Sequence, residues 1–114
     1  MRIQEEIKAI VEVIKKTVDC EKIYLFGSYA YGVTHKDSDL DFYVVIPDDA
    51  DRPIVVIQKI RANLGGIKRV TPIDILAARS NRFADMSVQP TLERRIARDG
   101  ILLYERNEFS QRVA

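Results

Sequence analysis

Little in this chain suits covalent or membrane anchoring. One cysteine, Cys20, occurs in 114 residues. An intrachain disulfide and a cysteine-based metal cluster are therefore excluded, and Cys20 reads as a small core residue. The most apolar stretch, Leu40 to Pro47, is interrupted by Asp41 and falls far short of the ~20 residues needed to span a bilayer. The start, Met1-Arg2-Ile3-Gln4-Glu5-Glu6, carries acids at once and lacks the apolar run of a secretory signal. The expectation is a cytoplasmic protein with no membrane contact. No internal repeat, low-complexity segment or linker interrupts the sequence. A strong basic excess is also missing, with 18 Lys plus Arg against 17 Asp plus Glu. Without that excess, or an interleaving of aromatic and basic residues, direct nucleic-acid binding is not supported.

What is present fits one small globular domain, 46% apolar and 31% charged. The patterned part covers residues 1–104, and residues 105–114 read as a loose C-terminal tail. A chain of this size holds one core and excludes a two-domain polymerase or ligase, so a large substrate must be held partly by something else. The near-neutral balance hides an asymmetry. Residues 1–50 hold 6 basic and 10 acidic side chains, and residues 51–114 hold 12 and 7. Within the acidic half, Asp37, Asp39, Asp41, Asp48 and Asp49 crowd into one short stretch, which costs Coulomb energy unless a cation or basic partner is near.

Ile3, Ile7, Ile10, Val11, Ile14 and Val18 recur at helical spacing among charged residues and predict an amphipathic helix. Lys22 to Phe26 predicts a short buried strand, stopped by Gly27-Ser28, with a small helical turn over Ser28 to Gly32. Leu40 to Ile46 is the strongest strand signal, closed by Pro47. Pro53 fits the first turn of a helix whose inner face runs through Ile54, Ile57 and Ile60 to Leu64. Val70 to Leu76 predicts a strand in which Pro72 argues for an edge position or the strand start. Short helices over 81–88 and 91–99 precede a last apolar run, Ile101 to Tyr104. This order describes an α/β or α+β domain on a small mixed sheet flanked by helices.

The chemistry concentrates between Gly27 and Asp41. A strand running into Gly27-Ser28 and then a helical turn presents backbone N–H groups and a hydroxyl suited to phosphate. Asp39 and Asp41 alternate along a strand, so their carboxylates share a face about 6.5 Å apart. They are hard oxygen ligands suited to Mg²⁺ or Mn²⁺. Asp74 offers a third carboxylate inside an otherwise apolar strand. If that strand lies beside the Asp41 strand, the three converge next to a phosphate cradle, the parts needed for two-metal phosphoryl or nucleotidyl transfer.

These residues resemble a known family. Gly27-Ser28, ten residues, then Asp39-Leu40-Asp41 is similar to the signature of the polymerase-β-like nucleotidyltransferase superfamily, and the flanking text looks like its minimal nucleotidyltransferase branch. The likeness extends over most of residues 1–104. It implies that Gly27 and Ser28 contact the phosphates of a nucleoside triphosphate and that Asp39 and Asp41 hold Mg²⁺. Asp74 would help bind the catalytic metal and activate the acceptor hydroxyl. The group transferred would be a nucleoside monophosphate, AMP from ATP. Many relatives carry Arg or Lys where this chain has Tyr31. Minimal members resemble the antitoxin of two-gene toxin–antitoxin modules, some of which transfer AMP to a tyrosine of a helical HEPN-type toxin. That resemblance implies a toxin partner, and it leaves a homo-oligomer open. The alternatives are a non-catalytic module that neutralises a toxin by binding, and transfer of a nucleotide to a small molecule such as an antibiotic.

Plainer roles exist for each residue. An isolated Asp-x-Asp at a strand entrance is a turn or cap, and the full Gly-Ser spacing weighs against that here. Asp37-x-Asp39-x-Asp41 imitates the start of a calcium loop, but Phe42 stands where glycine is required. Asp74 has an ordinary reading as an edge acid paired with Arg79 or Lys68. His35 reads as a solvated loop residue, and Arg94, Arg95 and Arg98 as a solvated helix face.

Overall fold

The structure, a computed structural model, describes residues 2–67 and 71–106. Helix α1 (Ile3–Thr17) leads into strand β1 (Lys22–Phe26), the short α2 (Ser28–Tyr31) and β2 (Leu40–Ile46). Then come α3 (Pro53–Leu64), β3 (Ile73–Arg79), α4 (Ser80–Ser87), α5 (Leu92–Asp99) and β4 (Ile101–Glu105). The strands form a mixed sheet of order β3-β2-β1-β4. β1 pairs antiparallel with both β2 and β4, while β2 and β3 run parallel. A parallel pair needs a crossover, and α3 supplies it.

Local signals account for most elements. Glu5 and Glu6 in the first turn of α1, and Lys15 and Lys16 in its last, complement the helix dipole. Pro53 opens α3, where its missing N–H costs nothing. Thr91 caps α5 by accepting the Arg94 N–H at 3.3 Å. Pro72 immediately precedes β3, which lies at one edge of the sheet, so both halves of the expectation from that proline hold.

The two faces of the sheet are covered separately. Ile23, Leu25, Phe42, Val44, Ile46 and Ile75 meet Ile10 and Ile14 of α1 and Val56 and Ile60 of α3 in the main core. On the other face Tyr24, Phe26, Tyr43, Val45 and Ala78 meet Phe83 of α4 and Ile96 of α5 in a smaller, more aromatic cluster. There the Tyr43 and Phe83 rings lie 5.3 Å apart and those of Tyr24 and Phe83 5.6 Å apart.

The C-terminal ends of β3 and β4 depart from the sequence reading. β3 runs from Ile73 to Arg79, three residues beyond the expected Leu76. Ala77 and Ala78 are weak strand formers, and pairing with Val44 and Val45 holds them there. Val70 lies outside the described residues. β4 extends to Glu105, one residue into the expected tail, and the Arg106 N–H donates to the Glu21 carbonyl at 2.8 Å. Residues 107–114 lie outside the described residues. Among the described residues, no helix is long and apolar enough to cross a membrane.

Candidate active site

The parallel register of β2 and β3 sets Asp41 directly beside Asp74. On the other flank of β2, the antiparallel register sets Asp41 opposite Phe26, the last residue of β1. The next residue, Gly27, sits at φ 74 and ψ −157, a conformation that only glycine adopts freely. A Cβ at Gly27 would collide with Asp41 Oδ2. The absence of that atom lets the β1–α2 turn close against the Asp41 carboxylate. The sequence reading thus finds Gly27, Ser28, Asp41 and Asp74 at one end of the sheet, with Asp39 entering it just before β2.

Gly27 contributes no side-chain cap to α2. Its carbonyl accepts the Ala30 and Tyr31 N–H groups, both at 3.0 Å, and the Ser28 carbonyl accepts those of Gly32 and Val33 at 3.0 and 3.1 Å. Among the described residues, the Ser28 and Tyr29 N–H groups at the mouth of this turn have no acceptor. Such donors suit an anion.

The acids differ in environment. Asp39 and Asp74 are exposed and Asp41 is half-buried. Burial first, then the charges of Asp74 and Asp39, push the Asp41 carboxyl up from 3.8 to about 6. Asp74 Oδ1 lies 3.5 Å from Arg61 Nη2; Arg79 makes no ion pair with it, and Lys68, the other expected partner, lies outside the described residues. Arg79 instead donates from Nη2 to the Ala50 carbonyl at 3.0 Å. Asp39 and Asp41 have no ion pair among the described residues.

The carboxylates share one end of the sheet without forming a closed ligand set. Among the described residues, no three His, Cys, Asp or Glu side chains are gathered closely enough to hold a metal ion. The donor chemistry nevertheless fits a hard divalent cation: Asp39, Asp41 and Asp74 offer carboxylate oxygens, and the charges of Asp74 and Asp39 add to burial in raising the Asp41 carboxyl.

Several supporting residues escaped the sequence reading. Glu6, 2% exposed, accepts from the Thr71 N–H and hydroxyl, both at 3.2 Å, and so fixes the entry to the Asp74 strand. Its signal was its place four residues before the buried Ile10 on α1. Ser38 accepts the His35 N–H at 2.9 Å and closes the loop ahead of Asp39. Leu40 then donates to the Pro72 carbonyl at 2.8 Å, fixing β2 against the start of β3. Arg95, expected on a solvated face, lies with its guanidinium 4.1 Å from the centre of the Tyr31 ring and 2.9 Å from Asp99. It brings a cation beside α2, where Tyr31 itself is neutral. His35 is exposed, as expected.

Concavity points elsewhere. A cavity of about 890 Å³ opens at the far end of the sheet, lined by Lys22, Tyr24, Val45, Phe83 and Arg106 among others, and includes none of the five candidate residues. The carboxylates and the unsatisfied turn outweigh that shape, because the charged residues lining the cavity are paired with one another, Lys22 with Glu105 and Arg106 with Glu21.

Comparison with known proteins identifies the family. Residues 8–109 match the polymerase beta nucleotidyltransferase family, and the chain belongs to it. No curated protein matches. Among solved structures, a protein assigned by inference as a nucleotidyltransferase, from Sulfolobus solfataricus, is similar with a TM-score of 0.58 and 20% identity, over 88% of this chain and 78% of that one. A toxin–antitoxin complex with AMP-PNP gives a TM-score of 0.51 at 22% identity, covering 91% and 77% of the two chains. A mutant of a toxin–antitoxin named MntA-HpeT gives 0.56 at 20%, with the same coverage. At these identities the likeness is one of fold.

Proposed function

We propose that this chain is a divalent-metal-dependent nucleotidyltransferase that moves AMP from ATP to a hydroxyl, a tyrosine of a HEPN-type toxin, and so acts as an antitoxin. The observation that carries the reading is the registered pair Asp41 and Asp74, with the Gly27 backbone closed against Asp41. Family membership supports the reaction class. The toxin–antitoxin neighbours support the partner class.

In this reading Asp39, Asp41 and Asp74 hold Mg²⁺ or Mn²⁺. Bound there, the cation would neutralise phosphate charge and lower the pKa of the attacking hydroxyl. The remaining work falls to the chain. The Ser28 and Tyr29 N–H groups and the Ser28 hydroxyl receive the terminal phosphates, and Gly27 permits that approach by lacking a Cβ. Asp74, exposed at the sheet edge, faces the incoming hydroxyl and takes up its proton. The hydroxyl oxygen bonds to the α-phosphorus as the bond to the leaving oxygen breaks, and pyrophosphate departs.

The test is transfer of label from α-labelled ATP to a HEPN-type protein encoded beside this gene. Wild type transfers the label and Asp39→Asn does not. A complex that forms with that protein, yet yields neither label nor pyrophosphate, overturns the proposal.

A second reading, neutralisation by binding alone, is favoured by one observation: Asp74 is held by Arg61 and not by its fellow acids. Under that reading an Asp39→Asn, Asp41→Asn double variant still neutralises the toxin in cells.

A further inference from the structure

Asp74 is placed by register beside Asp41, yet its carboxylate is engaged elsewhere. β3 is an edge strand, and alternation puts Asp74 on the face of Leu76 and Ala78, which pack toward α4 and α5. Arg61 belongs to α3, which covers the opposite face. The contact of 3.5 Å between Arg61 Nη2 and Asp74 Oδ1 therefore spans the edge of the sheet. Asp39 and Asp41 have no such partner among the described residues, and no three acids are gathered into a metal-holding group there.

We infer that Arg61 is a positioning residue which holds Asp74 off the other two carboxylates, so that a divalent cation must displace the guanidinium to complete its ligand set. This rests on the metal-dependent reading above and adds a competitor built into the fold. The chemistry is an exchange of counter-ions: Asp74 gives up one charge-assisted contact and gains another, while Arg61 is released to solvent at the β3 edge. Both side chains are about half exposed, 47% and 53%, so the latch is weak enough to open. Exposed pairs of this kind correspond to a competition factor of about two- to fivefold in an equilibrium constant.

The experiment measures Mn²⁺ binding to the full-length protein without nucleotide, by electron paramagnetic resonance of free Mn²⁺ or by calorimetry. Circular dichroism reports that each variant is folded. Arg61→Gln is expected to bind Mn²⁺ about two- to fivefold more tightly than wild type, and the gap narrows at about 0.5 M salt as the pair is screened. Arg61→Lys, which keeps the charge but loses the planar fork, falls between the two.

Removing any positive charge near a cation site tightens binding, so the deciding measurement is the double-mutant cycle. In an Asp74→Asn background the Arg61→Gln effect disappears if Arg61 acts through Asp74, and persists if it acts through its field. Persistence overturns the inference and leaves the metal-dependent reading standing. Equal affinity of wild type and Arg61→Gln overturns it too. Failure of wild type to bind Mn²⁺ at millimolar concentration overturns both.

Discussion

β2 presents Leu40, Phe42, Val44 and Ile46 to the face covered by α1 and α3, and Asp41, Tyr43 and Val45 to the face covered by α4 and α5. β3 repeats the pattern, with Ile73, Ile75 and Ala77 on the first face and Asp74, Leu76 and Ala78 on the second. On β2 the first face is therefore apolar along its whole length. The other changes from apolar to acidic at one register, at the same end of both strands. The difference shows how a 114-residue domain carries a charged site without losing its core. One face supplies most of the burial, which frees one end of the other to stay wet and host carboxylates. Along β2 the aromatic cluster of the α4–α5 face reaches only to Tyr43. There the Tyr43 hydroxyl donates to Glu93 at 2.9 Å, and burial together with that bond pushes the phenol pKa up.

The contrast can be broken from either side. Asp41→Asn should lower nucleotide transfer by roughly a thousandfold, from loss of a ligand oxygen charge. Because Asp74 and Asp39 repel the Asp41 charge, the melting temperature of the metal-free variant should hold steady or rise. A fall of several degrees with activity retained would put the acid in the structural class. Phe42→Ala, one residue away and facing the closed core, should do the reverse. It should cost about 3–5 kcal/mol of stability in chemical denaturation, with any surviving folded fraction near normal in specific activity.

Gly27→Ala lies between these extremes. The strained φ alone costs of order 1–3 kcal/mol, and the new methyl must displace the Asp41 carboxylate, so both stability and transfer should fall. Unchanged transfer would separate the turn from the site. The smallest effect concerns Cys20, which is 3% exposed in the closed core. Burial first, then the charge of Asp19, push its thiol up from 9.0 to about 11. Below that value only the thiolate reacts, and its share grows about tenfold per pH unit. Iodoacetamide at pH 8 should therefore leave folded Cys20 almost untouched, with reaction quickening toward pH 10 and becoming fast in denaturant. Rapid alkylation of the native protein at pH 8 would mean that the α1–α3 face opens.

Much of this was legible beforehand. Alternation along Leu40 to Ile46 assigns Asp39 and Asp41 to one face, and the helical spacing of α1 identifies a helix that closes the other; on α3 the expected inner face holds at Ile60 and Leu64, but Ile54 is exposed and Val56 is buried in its place. Pro72 marks the start of an edge strand. The C-terminal half of β3 was not legible, because Ala77, Ala78 and Arg79 become strand only through their ladder with β2. Glu6 and Ser38 were missed for a related reason. Their partners, Thr71 and His35, are set by how loops meet the helices and strands, which no periodicity encodes. Tyr31 raised the question of a missing cation beside α2, and the answer, Arg95 across the fold, is invisible at a spacing of 64 residues.

By itself the sequence determined the components: a glycine where a turn must pass close to a carboxylate, two acids alternating on one strand, a third acid in an apolar run, and an order of elements that requires a mixed sheet. Those are local matters, fixed by steric freedom, side-chain alternation and hydrophobic period over a few residues. Tertiary structure alone decided which residues meet. The right-handed habit of β-α-β crossovers and the burial of both strand faces set β3 beside β2 in the one register that aligns Asp74 with Asp41. The same folding carried Arg61 around the sheet edge to the acid it holds.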